Sequence, residues 1–168
     1  MQKREVGKLI VMVSNGDNNA FQDLYLQTKR GLFAFLYTYF HNREQTEDAV
    51  HNVYLKIKIN AGAFKEDTNG VAWILQIAKN YALNELKKSE RTTPIEEWHK
   101  SIDNGDRGSV TDAMERVLSE EEQRIVTLHV LWGYKHREIA SLIGKPLGTI
   151  TSQYKRAMEK LRKALKED

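Results

Sequence analysis

The sequence predicts an all-α protein made of two small helical domains: an N-terminal helical bundle and a C-terminal helix-turn-helix domain, joined by a flexible linker. Three observations lead there. Apolar residues recur at helical spacing through most of the chain, with no strand-like alternation and no internal repeat. Only two prolines, Pro94 and Pro146, stand among 168 residues, so long helices are permitted almost everywhere. Between Arg91 and Val110 the periodicity stops, and Pro94, Gly105, Gly108 and several Asp and Ser residues take its place. The expected boundaries are 1–91, a linker at 92–110, and 111–168. Each half is small, so its apolar side chains must pack efficiently.

The elements follow in order. Val6, Leu9, Ile10 and Val13 form an i, i+3, i+4, i+7 stripe, and Asn15-Gly16-Asp17 reads as a turn. Phe21, Leu24, Tyr25, Thr28, Leu32, Phe35, Leu36 and Tyr39 extend a second stripe, closed at His41-Asn42. Ala49, Val50, Val53 and Ile57 mark a third helix from about Gln45 to Ile59. Residues 60–70 carry two glycines without periodicity and read as a loop, with Asn69 placed to cap the next helix. That helix shows Val71, Ile74, Leu75, Ala78, Ala82 and Leu86, and runs to about Ser89. In the linker, Ile95, Trp98 and Ile102 are the few apolar anchors, and a short helix fits Ile95–Lys100.

The second half resumes at Thr111 with a helix to about Leu118. Ser119, followed three residues later by Glu122, matches a capping box that opens a helix to Leu131. Gly133 interrupts. Lys135–Ile143, a Gly144-Lys145 turn and a last helix from Pro146 to about Leu165 complete the chain. In this last part Ile139, Ala140 and Ile143 face Ile150, Tyr154, Ala157, Met158, Leu161 and Leu165, and the small Ala140 lets the helices cross closely. A short helix, a tight turn and a second helix are the pattern in which the second helix enters a DNA major groove.

Charge adds direction. The formal net charge of +3 is too small to argue for nucleic-acid binding by itself. Its distribution is uneven: residues 145–166 hold seven basic side chains against Glu159, and residues 93–122 hold nine acidic against three basic. The pattern reads either as a polyanion-binding tail beside a repelling segment or as two solvated faces of opposite sign. Thr149, Thr151, Ser152, Lys155 and Arg156 occupy the free face of the last helix, where hydroxyls and a guanidinium reach base edges or phosphates, and Gln153 can do the same.

Two further faces stand out in the first half. Asp48, His51, Asn52, Leu55 and Lys56 share the outer side of the third helix, where Leu55 serves either a protein contact or a half-buried rim. On or near the fourth helix lie Phe64, Lys65, Lys79, Asn80, Asn84, Lys87, Lys88 and Arg91, with Trp73 and Tyr81. Cations interleaved with rings suit unpaired DNA. Trp73 and Tyr81 fit the core as well; Phe64, in a Gly-flanked polar loop, fits it less.

Other classes find no support. Cysteine is absent, so no disulfide or thiolate zinc site exists. The apolar run from Leu9 to Val13 is too short for a leader core or a membrane span, and the protein reads as cytoplasmic. The histidines (His41, His51, His99, His129 and His136) form no HExxH or paired zinc pattern, and His136-Arg137-Glu138 reads as a solvated helix start. No Walker loop or GxSxG is present. No enzyme, metal, cofactor, small-molecule substrate or membrane insertion is expected.

Several segments together resemble a known family. Leu118-Ser-Glu-Glu-Glu-Gln-Arg-Ile-Val, Trp132-Gly-Tyr-Lys-His-Arg-Glu-Ile-Ala, Gly144-Lys-Pro-Leu-Gly-Thr-Ile-Thr-Ser-Gln and Arg156-Ala-Met-Glu-Lys-Leu-Arg look like the promoter −35-binding region of extracytoplasmic-function sigma factors. Thr46-Glu-Asp-Ala-Val through Phe64, and Ala72-Trp-Ile-Leu-Gln-Ile-Ala-Lys-Asn-Tyr-Ala-Leu-Asn-Glu-Leu-Lys-Lys, look like that family's polymerase-binding and −10-binding region. The resemblance implies that Asp48–Lys56 dock on core RNA polymerase. It implies that Phe64 and Asn80 help hold the opened −10 strand, with a flipped base captured in a protein pocket. It further implies that Thr151, Ser152, Lys155 and Arg156 meet the −35 element, and that an anti-sigma factor is a partner. The family often has Gln-Glu at His51-Asn52, arginine at Gln153 and an acidic-glycine pair at Trp132-Gly133. The −35 contacts are therefore expected either to lean less on phosphates or to fit a different DNA sequence. The competing reading is a helix-turn-helix transcriptional regulator or adaptor acting without core polymerase.

Overall fold

Short polar side chains punctuate the first half as helix caps in the computed structural model, which describes residues 3–92 and 110–167. Helix α1 (Lys3–Ser14) buries Val6, Leu9, Ile10 and Val13 and gives way to a turn in which Gly16 takes φ +85°, a conformation glycine adopts without steric cost. Asp17 caps α2 (Asn18–Phe40), its carboxylate accepting from the Asn19 and Ala20 amides at 2.9 and 3.0 Å. His41 closes α2 in the left-handed region, and Asn42 opens α3 (Arg43–Asn60) by accepting from the Gln45 amide at 2.9 Å. A single 3-10 turn, Ala61–Ala63, leads to a loop, and Asn69 accepts from the Ala72 amide at 3.2 Å where α4 (Gly70–Thr92) begins. Each such cap is worth about 1 kcal/mol.

The four helices bury Ile10, Leu24, Leu32, Phe35, Leu36, Ile57, Ile74 and Leu75 almost completely. Full burial of a side chain of this kind contributes roughly 1.5–3 kcal/mol. One polar pair lies inside. The Thr28 hydroxyl donates to the Leu24 carbonyl at 2.6 Å, so the Tyr54 hydroxyl, 2.6 Å from it, is the donor of that second bond. Burial raises the Tyr54 phenol well above its ordinary range. Where α1 meets the start of α4 the backbones touch: a Cβ on Gly70 would sit 2.7 Å from the Gly7 nitrogen.

The second unit is built from α5 (Val110–Val117), α6 (Glu120–Val130), α7 (His136–Ile143) and α8 (Leu147–Glu167). The capping box is present: the Ser119 hydroxyl accepts from the Glu122 amide and the Glu122 carboxylate accepts from the Ser119 amide. Ala113, Leu118, Val126, Ala157 and Leu161 form one buried cluster, with Met114, Val117, Tyr154 and Met158 packed against it, and Ile125, Leu128, Ile139 and Ile150 are fully buried as well. Gly144, at φ +79°, ends α7, and its amide bonds the Ala140 carbonyl. The contacts separate the chain into two compact units, one holding α1–α4 and the other α5–α8.

Two expectations shift. Helix α4 continues past Ser89 to Thr92, and Leu165 is 53% exposed on α8 instead of joining the core. The predicted linker, including the short helix at Ile95–Lys100, lies almost wholly outside the described residues.

Candidate nucleic-acid interface

Helix α8 is two-faced because its apolar positions follow one helical stripe. Ile150, Ala157 and Leu161 point inward and are buried; Tyr154 and Met158 are half-buried beside them. Thr151, Ser152, Lys155 and Arg156 are exposed, and Thr149 is half-buried. The Ser152 hydroxyl donates back to the Thr149 carbonyl at 3.2 Å, which leaves its oxygen able to accept. Gln153 differs from its expected role. It is half-buried, with its amide near Glu121.

The basic tail is smaller than its sequence count. Lys160 donates to both oxygens of Glu122, at 3.0 and 2.8 Å, and Lys145 donates to Glu121 at 2.5 Å. The described acidic residues at 120–122 are correspondingly not a simple repelling surface. Glu120 pairs with Arg124, and Glu121 and Glu122 clamp the turn and α8 to α6. Lys145 and the Gln153 amide hold the Glu121 carboxyl below the usual carboxylate range. At Glu122 burial pushes upward, yet Lys160 and Ser119 together bring the carboxyl lower.

His136 is likewise no solvated helix start. His129, His136 and Tyr154, from three helices, bring their ring centres within 4.7–4.9 Å of one another. His129 Nδ1 donates to the Tyr134 carbonyl at 2.7 Å, and His136 Nδ1 lies 3.4 Å from the Thr151 hydroxyl. Burial, with the neighbouring His129, depresses the His136 pKa. This cluster backs the outward face of α8 and was missed because its members lie on different helices.

In the first unit, Asp48, His51, Leu55 and Lys56 are exposed along α3. Asn52 is tied down: its amide donates to the Tyr81 hydroxyl at 3.1 Å and to the Asp48 carbonyl at 3.0 Å. Ile59, one turn beyond Leu55 on the same stripe, is 80% exposed and escaped notice because helix ends tolerate stray apolar residues. On α4, Asn80, Asn84, Lys87 and Arg91 share an exposed stripe; Lys79 is half-buried and Lys88 pairs with Glu85 at 2.9 Å. Lys65 is exposed in the preceding loop.

Phe64 requires a correction. It is only 8% exposed, meets Trp73 edge-on at 5.4 Å and rests where a Cβ on Gly7 would stand 3.5 Å away. Two glycines let α1 approach closely enough to cover the ring, so it is core and not a free stacking platform. Among the described residues no cluster of three or more His, Cys, Asp or Glu side chains is placed to hold a metal ion, and no helix is long and apolar enough to cross a membrane.

Two helical units, the second carrying a helix-turn-helix whose second helix turns hydroxyls and cations outward, define a DNA-binding protein of the helix-turn-helix class. Residues 24–92 match the family model of sigma-70 region 2, and residues 110–161 match that of sigma-70 region 4. The chain is 26% identical over 178 residues to the RNA polymerase sigma-H factor of Pseudomonas aeruginosa, covering 94% of this chain and 92% of that protein. It is 27% identical over 168 residues to the ECF RNA polymerase sigma factor SigM of Mycobacterium tuberculosis, covering 97% and 86%. Its fold is similar to that of CnrH in complex with the cytosolic domain of CnrY, with a TM-score of 0.66, 17% identity and 98% and 99% coverage. It is also similar to the sigma factor RpoE in complex with the anti-sigma factor NepR from Bartonella quintana, with a TM-score of 0.66, 24% identity and 88% and 96% coverage. The chain belongs to the sigma-70 family as an extracytoplasmic-function sigma factor, which directs transcription initiation by RNA polymerase.

Proposed function

We propose that residues 1–91 dock on core RNA polymerase and hold the opened −10 strand, and that residues 111–168 read the −35 element as duplex. The observation that carries the second assignment is the outward placement of Thr151, Ser152, Lys155 and Arg156 on a helix anchored by Ile150, Ala157 and Leu161. Among the described residues neither Lys155 nor Arg156 is in an ion pair, so both cations face solvent ready for phosphate or guanine.

In the first unit the docking face is Asp48, His51, Leu55 and Lys56, with Ile59 as its extension and Asn52 as a brace to α4. The −10 face is the Asn80, Asn84, Lys87 stripe with Lys65, flanked by Lys79 and Lys88. Phe64 shapes the loop from below. The protein works by binding, without catalysis, in the cytoplasm where polymerase and promoter are. An anti-sigma factor is a partner by analogy with the RpoE–NepR complex.

The test is run-off transcription from genomic fragments with core polymerase. New transcripts appear with the parent chain and are lost when Lys155→Ala and Arg156→Ala are combined. Asn80→Ala impairs open-complex formation, followed by permanganate reactivity, more than it impairs polymerase binding. A regulator independent of polymerase would instead bind duplex tightly alone and add no transcript. That result, or equal losses from Asn80→Ala in both assays, overturns the assignment.

A further inference from the structure

Two acidic neighbours on α6 hold two lysines, yet their circumstances differ. Glu122 is buried, closes the capping box with Ser119 and meets Lys160 far along α8. Its ion pair belongs to the framework. Glu121 takes no part in the cap. Its side chain keeps 26% of its surface, and its partner Lys145, at 42%, sits in the turn immediately before α8. The Gln153 amide, on the first turns of α8, also approaches the Glu121 carboxylate.

A lysine in the turn of a helix-turn-helix lies beside the end of the second helix that enters the groove, where backbone phosphates pass. Here that ammonium already has a carboxylate. We infer that Glu121 tempers the affinity of this unit for duplex DNA: it occupies Lys145 as a phosphate would, and so withholds one sequence-independent contact from DNA. A phosphate approaching the turn must displace Glu121, which lowers affinity for any duplex alike. The base-facing side chains of α8 are unaffected, so specific and non-specific binding weaken together and their ratio is unchanged. This inference rests on the reading of α8 as the groove helix.

The test uses the full chain and a fluorescein-labelled mixed-sequence duplex of about forty base pairs, with affinity followed by anisotropy from 50 to 300 mM KCl. Glu121→Gln keeps the side chain's shape and removes the negative charge that holds Lys145. The expected result is a salt dependence steeper by about 0.9 and a gain of roughly three- to tenfold near 100 mM. In a Lys145→Ala background the same change has no effect. Glu121→Ser, a residue at home in a first helical turn, serves as second variant with the same expectation, and circular dichroism checks that each variant is folded. An unchanged salt slope, or an equal gain with and without Lys145, overturns the inference, since the latter is the signature of general charge repulsion. Lys155→Ala with Arg156→Ala, run in parallel, separates the two levels. Undiminished binding there defeats the reading of α8 itself, whereas diminished binding with a flat Glu121 response defeats the role of Glu121 alone.

Discussion

The two units solve the same problem with different means. Residues 3–92 hold four helices together around large aliphatic and aromatic side chains, with one hydrogen-bonded Thr28–Tyr54 pair inside. Residues 110–167 bury Ile125, Leu128, Ile139 and Ile150 completely, and they add the Glu122–Lys160 and Glu121–Lys145 pairs and a cluster of three polar-edged rings. In the smaller unit, polar contacts between helices add orientation to what the apolar core supplies. Its stability is tied to acid pH through His136, Glu121 and Glu122.

That contrast is open to direct attack. Ile74→Ala empties a fully buried site in the first unit and should cost about 2–5 kcal/mol. Hydrogen exchange read residue by residue should show protection falling across α1–α4 and unchanged across α5–α8; loss in both would mean that the units are not separable. Glu122→Ala removes a cap and a clamp at once and should cost about 1–3 kcal/mol, confined to α5–α8. A cost no larger than that of an exposed ion pair would show the apolar core sufficient after all.

The pH dependence is the finest of these probes. The folded state depresses the His136 pKa below its ordinary 6.5, so in that window the unfolded chain binds more protons. The stability that this contributes is complete above 6.5 and is lost as pH falls through the lower folded value. Glu121 and Glu122, also depressed, lose theirs only below 4.5. Thermal melts of the second unit should therefore decline in two stages on acidification, and His136→Gln should abolish the upper one. A single stage would assign the sensitivity to the carboxylates alone.

The helices were legible because burial on a packed helix repeats every 3.6 residues, and stripes such as Val6-Leu9-Ile10-Val13 and Ile150-Ala157-Leu161 carry that period in plain view. Caps were legible too, since Ser119-Glu122 and Asn69 act on amides a few residues away. Phe64 was not, because what buries it is a glycine 57 positions earlier in the chain. Nor were the partners of Lys145 and Lys160. Counting charge by segment records sign but not neighbour, and each of these lysines finds its carboxylate on another helix. Asn52 failed as a free contact for the same reason: Tyr81 reaches it across the bundle.

The joint between Gly7 and Gly70 bears on how the chain is made. Synthesis delivers α1 first, but the backbone it rests against, and the ring of Phe64 lodged at that meeting, emerge some sixty residues later. Until then the first helix has α2, α3 and the turn at Ala61–Ala63 to lean on. Translation thus completes the bundle at the moment its fourth helix leaves the ribosome, before most of the second unit exists, and the two units mature one after the other.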